Sequence, residues 1–348
     1  MERTLAVGVI GAGSMGARHA RNLHQYVAGA QIAGLYDPDS GRAREVAASC
    51  GEATVFGDPL ALIADSSIDA VLIASPDATH AELVHACLQH GKPVLCEKPL
   101  AVTAEGALKI VQAEQEIGRR LVGVGLMRRF DPQHLAVERA LASGAVGRGL
   151  LFKGVHRNAK VPQHLPGEVV ITNSAVHDID SARWLLGQEV TQVFVSAVRT
   201  RDTLSADTRD MLLLQLQLTG GCLATIEVTV AADYGYEVSA EIVGVSGTVT
   251  TGLPMDAVIR SGRKTFTDVP ADWLERFQEA YIDELAAWTH SVRSGQAFSG
   301  ASAWDGYQAL VVTDACILAL KSAAAVAVPT PERPALYDRA VSPEVPSL

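Results

Sequence analysis

Residues 7–37, VGVIGAGSMGARHARNLHQYVAGAQIAGLYD, constrain the fold more than any other part of the chain. An apolar, β-branched run leads into Gly11-Ala12-Gly13-Ser14-Met15-Gly16. A helical pattern follows, then a second apolar run, 32–36, closed by Asp37. The order is strand, glycine turn, helix, strand, acid, the repeating unit of a parallel α/β sheet. Gly11 permits a tight turn, Gly13 lets a diphosphate approach the backbone, and Gly16 lets the helix pack close to the strand. With Ser14 and Met15 these glycines open a helix whose free N–H groups and positive dipole end favour an anion. Asp37 is placed to accept hydrogen bonds from ribose hydroxyls and to repel a 2′-phosphate. The expected cofactor is therefore NAD, with Arg42 and Arg44 as the nearby groups that would instead suit a phosphate.

At 348 residues the chain exceeds one ordinary core and points to two domains. A net charge of −10 argues against nucleic acid or an anionic membrane as partner. Cys50, Cys87, Cys96, Cys222 and Cys316 are scattered without a CxxC, as expected of reduced thiols in a cytoplasmic protein. The N-terminus passes directly into the first strand without a signal-peptide core, and no apolar run is long enough to span a bilayer.

Along residues 1–124 short apolar strands alternate with helical stretches: strands near 55–56, 69–74, 94–96 and 121–124, helices near 40–50, 59–65, 78–90 and 104–117. The run 69–74 is continuously apolar, as a strand buried on both faces requires. This is a doubly wound Rossmann domain for NAD. Past residue 131 the rhythm changes. A helix over 132–143 precedes longer alternating strands over 149–157, 190–200, 209–218, 222–230, 236–243 and 247–251, which form a largely antiparallel sheet. Helices are expected over 173–186, 272–294 and 302–323. Residues 125–330 would thus be a second α/β domain built on that sheet, and the Pro-rich tail 331–348 would lie along the surface or be partly disordered.

Two pieces carry chemistry. Lys98 follows a buried strand, held between Glu97 and Pro99 in a stiff turn; partial desolvation suits such a lysine to proton transfer, while the plainer reading is a surface lysine. On the helix 173–186, Asn173, His177 and Asp180 share one face, with Asp180 three residues on from His177 and placed to orient its ring. His80, His85 and His90 recur every five residues and so spread around their helix, and there is no HExxH or GxSxG; neither a catalytic metal nor a serine nucleophile is expected.

Four segments stand in a telling order: the 11–16 glycine turn, Ser75-Pro76-Asp77-Ala78-Thr79-His80, the run 91–100 ending Glu97-Lys98-Pro99-Leu100, and His177-Asp178-Ile179-Asp180. With these the chain resembles the glucose–fructose oxidoreductase/inositol dehydrogenase (Gfo/Idh/MocA) family over nearly its full length, and within it the inositol 2-dehydrogenases. Residues 127–131, 155–158 and 234–236 resemble their substrate-domain segments. The resemblance implies hydride transfer between a secondary hydroxyl of a cyclitol or sugar and NAD, in a homotetramer formed through an open sheet. It implies that Ser75, Pro76, His80, Glu97 and Lys98 join the cofactor site. Lys98 and His177 would handle the hydroxyl proton together with Asn173, and Arg128, Asn158 and Tyr236 would line the polyol pocket. Asn173 departs from the family, which usually has an aspartate four residues before the histidine. An amide stabilises a cationic Lys98 or His177 less. Ordinary myo-inositol is then less expected, and a modified cyclitol such as an inosamine, of the kind used in aminocyclitol-antibiotic pathways, is one candidate beside the inositols and sugars. A glycosidase using NAD transiently, and an NAD-binding protein without catalysis, are the alternatives.

Overall fold

A computed structural model describes residues 4–51, 53–160, 165–252 and 258–338. The first part is β1 (Leu5–Ile10), α1 (Ser14–Tyr26), β2 (Ala30–Tyr36), α2 (Ser40–Ser49), β3 (Thr54–Val55), α3 (Pro59–Ala64), β4 (Ala70–Ile73), α4 (His80–Gln89), β5 (Val94–Glu97), α5 (Ala104–Ile117) and β6 (Val122–Gly125). Local chemistry sets the helix limits. Asp58 caps α3 by accepting from Ala61 N at 2.8 Å, with Pro59 at the first helical position. Thr103 caps α5, which ends on left-handed Gly118. The strands are parallel in the order β3-β2-β1-β4-β5-β6, so the winding reverses between β1 and β4. This is the Rossmann arrangement, and ligands bind beyond the carboxyl ends of such strands.

A one-turn 3₁₀ segment, Met127–Phe130, leads to α6 (Pro132–Ala142) and β7 (Gly149–Arg157). Then come α7 (Gly167–Val170), a π-helical turn over Ile171–Ala175, α8 (Val176–Leu186), β8 (Val190–Val198), β9 (Met211–Leu218), β10 (Leu223–Thr229), β11 (Glu237–Gly244) and β12 (Thr248–Thr250). A small hairpin, β13 (Ile259–Ser261) and β14 (Lys264–Phe266), precedes α9 (Trp273–Arg276), α10 (Gln278–Ser294), β15 (Ala301–Ser302), α11 (Ala303–Ser322) and β16 (Val326–Ala327). The second sheet runs β12-β11-β7-β10-β9-β8-β16 and is antiparallel except for the β7–β10 pair. Its inner face buries alternate residues such as Leu212, Leu214, Leu216 and Leu218, while the outer face stays open.

One buried cluster runs from Ile73, Val94 and Val124 through Trp304 and Val312 to Ile179, Phe152 and Leu214, so the two sheets share a core across α11. The late strand β15 also joins the first sheet, antiparallel to β6.

The structure departs from the sequence expectations at four places. The helix expected over 173–186 starts earlier, at Gly167, and carries the π-turn at Asn173. The helix expected over 272–294 breaks at Phe277, whose φ of −114° leaves the helical range. The hairpin β13–β14 was not expected. In the tail, Tyr337 is 3% exposed, stacks near Trp304 and donates to Glu114 Oε2 at 2.6 Å; an aromatic ring with a buried acceptor outweighs the proline-rich context. Residues 339–348 lie outside the described residues.

Candidate active site

The glycine turn has the features a dinucleotide needs. Gly11 has φ +96°, and a Cβ there would lie 2.5 Å from the Ala74 carbonyl oxygen; on Gly16 it would lie 1.8 Å from the Gly11 carbonyl. Gly13 differs: a Cβ there would meet nothing within 4 Å, so it faces open space at the start of α1. No side chain caps that helix, and Ser14 is exposed at its first position. Free N–H groups beside an open backbone cradle fit a pyrophosphate. Asp37 directly follows β2, accepting from Ala12 N at 2.7 Å and Asp39 N at 2.9 Å, which fixes its carboxylate at the rim of the turn. Arg42 lies 3.7 Å from Asp37 and Arg44 bonds Ser40, so both are engaged by neighbours. Ser75 and exposed Pro76 follow β4 across the switch point, with Ser75 Oγ 2.6 Å from Thr79 Oγ1.

A cleft of about 720 Å³ opens past the ends of β5 and β6. Met15, Glu97 and Lys98 line it from the Rossmann side; Asn158 and Tyr236 line it from the ends of β7 and β11, Asn173, Ser174 and His177 from the π-turn and α8, with Trp273 and Tyr281 completing it. Lys98 Nζ donates to the backbone carbonyl of Asn173 at 3.3 Å, joining segments 75 residues apart. Burial lowers the Lys98 pKa, against the opposing pull of Glu97 and Asp77. Burial, with Lys98, Arg128 and His156 nearby, pushes His177 well below the usual imidazole range, and its Nδ1 has no hydrogen-bond partner among the described residues. At neutral pH the ring is therefore uncharged and able to accept a proton. Asn158 Nδ2 donates to Ser174 Oγ at 3.3 Å.

Behind this wall lies a buried network. Arg128 donates to Asp178 Oδ1 at 2.6 Å, and the His156 ring is held by Asp178 and Arg128 on its Nδ1 side and by Tyr236 Oη, 3.2 Å from Nε2. Asp178 is held down at about 2, burial being outweighed by Arg128 and His156.

Three expectations need correction. Arg128 does not line the cleft: it is 2% exposed, because its guanidinium is drawn back onto Asp178. His80 is buried with Nδ1 2.7 Å from the Pro99 carbonyl and Nε2 2.9 Å from the Ser75 carbonyl, so it braces the two cofactor-edge loops from beneath. Asp180 does not orient His177; Arg129 and Arg183 draw it the other way, with Arg129 Nη2 at 2.6 Å. Sequence reasoning also passed over His19, which meets Glu97 Oε1 at 2.7 Å, and the wall residues Trp273 and Tyr281. The helical period on α1 and α10 carried a signal for their inward faces but not for what those faces meet.

Residues 5–126 match an oxidoreductase family with an NAD-binding Rossmann fold, and residues 156–328 match the C-terminal α/β domain of the same family. An inositol 2-dehydrogenase of Rubrobacter xylanophilus is 49% identical over 337 residues, 97% of each chain. Inositol 2-dehydrogenase 1 of Saccharopolyspora erythraea is 46% identical over 96% of this chain and 99% of its own. The crystal structure of myo-inositol dehydrogenase from Lactobacillus casei, in complex with NAD(H) and myo-inositol, superposes with a TM-score of 0.92 at 31% identity, over 96% of this chain and all of that one. The chain belongs to the Gfo/Idh/MocA oxidoreductase family.

Proposed function

We propose that the protein is an NAD-dependent dehydrogenase that oxidises a secondary hydroxyl of a cyclitol to the ketone, in the manner of the inositol 2-dehydrogenases it resembles. The observation that carries the reading is the meeting of Lys98 with the His177 helix in one cleft at the carboxyl edge of the Rossmann sheet. Residues 1–124 are taken as the cofactor domain and 125–330 as the substrate domain. Gly11, Gly13, Ser14, Met15, Gly16 and Asp37 would hold the diphosphate and ribose, with Ser75, Pro76, Glu97 and Lys98 along the same edge. When bound, NAD supplies the hydride acceptor.

The chain supplies the rest. His177, uncharged at neutral pH, takes the hydroxyl proton. Lys98, held by the Asn173 carbonyl, donates to the substrate oxygen and holds it in place. Asn158, Asn173 and Tyr236 orient the remaining hydroxyls, and Trp273 and Tyr281 present apolar faces to ring carbons. General-base assistance of this kind contributes about 10²–10⁴ in rate.

Asn173 places an uncharged amide in the cleft beside Lys98, where the family resemblance implies a carboxylate, and a substrate bearing its own amino or guanidino group is part of the proposal. A place in antibiotic biosynthesis would follow from such a substrate. The open face of the second sheet exposes Val198, Leu213 and Leu223. Burying that face in a homotetramer, in the cytoplasm, completes the reading.

The test is NADH absorbance with NAD and a panel of myo-, scyllo- and chiro-inositol, inosamines and hexoses. Net NADH with a cyclitol is expected. NAD binding without turnover on any polyol, or sugar release from a glycoside without net NADH, would overturn it.

A further inference from the structure

The outer wall of the cleft is a short segment with little local support. Ala271, Asp272 and Trp273 line the cleft at the start of α9, a helix of four residues and too short to hold itself. The hairpin before it leaves all six strand residues exposed. Asp272 caps α9 by accepting from Leu274 N at 2.8 Å and Glu275 N at 3.1 Å, and Glu275 Oε2 accepts from Ala271 N at 2.7 Å. Those bonds shape the turn and tie it to nothing outside itself. Upstream, the Pro270 carbonyl accepts from Tyr236 N at 2.7 Å. Downstream, the helix breaks at Phe277 before α10 packs against α1. The half-buried Trp273 indole meets Tyr281 edge-on at 6.0 Å and is otherwise placed by the backbone that carries it.

Between those two ends stands Arg276, which is 6% exposed. Its Nη1 donates to Asp131 Oδ1 at 2.7 Å and its Nη2 to Asp131 Oδ2 at 3.1 Å, a fork laid on a carboxylate. Nη2 also reaches Gln133 Oε1 at 3.2 Å, and the guanidinium carbon lies 4.5 Å from the centroid of the buried Phe277 ring. Asp131 is itself held by His134, through its backbone N–H at 3.2 Å and its ring Nδ1 at 2.5 Å. It directly follows the Met127–Phe130 segment, whose Arg128 and Arg129 pair with Asp178 and Asp180 on α8. One frame therefore carries two walls of the cleft: α8 with His177 and, through Arg276, α9 with Trp273.

We propose that Arg276 is a positioning residue of this cleft: its fork on Asp131 sets how α9 sits, and so where the Trp273 ring stands against the carbons of a bound cyclitol. The inference rests on the dehydrogenase reading. Arg276 is buried behind α9 and does not line the cleft, so it acts through Trp273. An apolar wall meets the ring carbons alike before and during hydride transfer. Displacing it therefore weakens binding and leaves the chemical step alone. His177 still takes the hydroxyl proton, and Lys98 still holds the oxygen.

The experiment compares wild type, Arg276→Gln and Arg276→Lys, each also in a Trp273→Ala background. In Arg276→Gln the KM for the cyclitol should rise about fivefold or more, while kcat and NAD binding stay within about twofold and the acid limb of the pH profile stays in place. In the Trp273→Ala background the same change should move KM by less than about twofold, because the residue it acts through is gone. Arg276→Lys should fall between, since an ammonium keeps the charge but not the fork. Acrylamide quenching of Trp273 emission, taken as the difference between each protein and its Trp273→Phe counterpart, should rise in Arg276→Gln. That readout needs no substrate, so it decides the placement of the ring even if no cyclitol is oxidised. Wild-type KM or wild-type quenching in Arg276→Gln would overturn the proposal. So would an equal rise in KM with and without Trp273, or a kcat that falls as far as KM rises. If Arg276→Gln loses NAD binding, Arg276→Lys decides, and wild-type KM or quenching there would equally overturn it.

Discussion

Replacing Asn173 by aspartate puts a carboxylate one helical turn before His177 and beside Lys98, whose Nζ already lies 3.3 Å from the carbonyl of residue 173. Residue 173 lies in the π-turn four positions before His177 and lines the same cleft, so a carboxylate there stands on the order of 6 Å from the ring. A unit charge at about 6 Å, in an effective dielectric of about 20, favours the imidazolium by about 3 kcal/mol. That corresponds to about two pH units. Asn173 is exposed, so water and salt screen the new charge, and about one pH unit is the working value. The sign is fixed by the charge. A carboxylate stabilises protonated His177, the base form then appears at higher pH, and the acid limb of kcat/KM against pH moves up. The same charge holds Lys98 as ammonium, so the basic limb moves up as well. The assay is initial-rate NADH formation from pH 5 to 10 with saturating NAD and a neutral cyclitol. An acid limb that stays in place or moves down would refute the assignment of His177 as the base governed by charge at residue 173.

His177→Ala should lower kcat by about 10²–10⁴ with little change in NAD binding; turnover within a few-fold of wild type would remove His177 from the proton-transfer role. Gly13→Ala and Gly16→Ala separate cofactor binding from folding. The first puts a methyl into the open cradle, so the melting temperature holds while NAD affinity falls at least tenfold; the second drives a Cβ to 1.8 Å from the Gly11 carbonyl and should lower the melting temperature as well. Asp178→Asn removes the charge opposite an Arg128 that is 2% exposed, and leaving a buried cation without its counter-charge costs about 3–5 kcal/mol in urea unfolding. A loss below about 1 kcal/mol, the range of an exposed pair, would mean the pair is solvated.

What the sequence disclosed depended on how local the cause was. The Rossmann half was legible because its signals are short-range: Gly11 needs a positive φ, Gly16 a missing Cβ, and the 69–74 run a strand covered on both sides. The alternation in β9 and β10 likewise fixed which face of the second sheet is buried. The meeting of Lys98 with the His177 helix has no short-range cause. It was reached through the resemblance, since nothing within either segment points to the other. The polar face read across Asn173, His177 and Asp180 is split: Asn173 and His177 line the cleft, while Asp180, misassigned to His177, turns to Arg129 and Arg183. A helical wheel orders residues around an axis without saying which arginine waits on each side.

That misassignment shows how the site is held. Arg128 and Arg129 are adjacent, yet their side chains part: Arg128 pairs with Asp178 behind the cleft, and Arg129 with Asp180 and Asp305 toward the shared core. Asp178 and Asp180 flank Ile179 on α8 and answer the two arginines in the same order. Two short segments are therefore clamped at two points, which fixes both the position and the rotation of α8; a single ion pair would leave the helix free to turn about it. The arginines follow β6, and β6 pairs with β5, the strand that ends beside Lys98. The clamp thus ties the His177 helix to the sheet edge that presents Lys98, and the hydrogen bond from Lys98 to the Asn173 carbonyl closes the same loop from the solvent side. Proton-transfer geometry in this cleft needs alignment within about 0.5 Å, and buried, doubly paired arginines supply that rigidity where a loop contact would not.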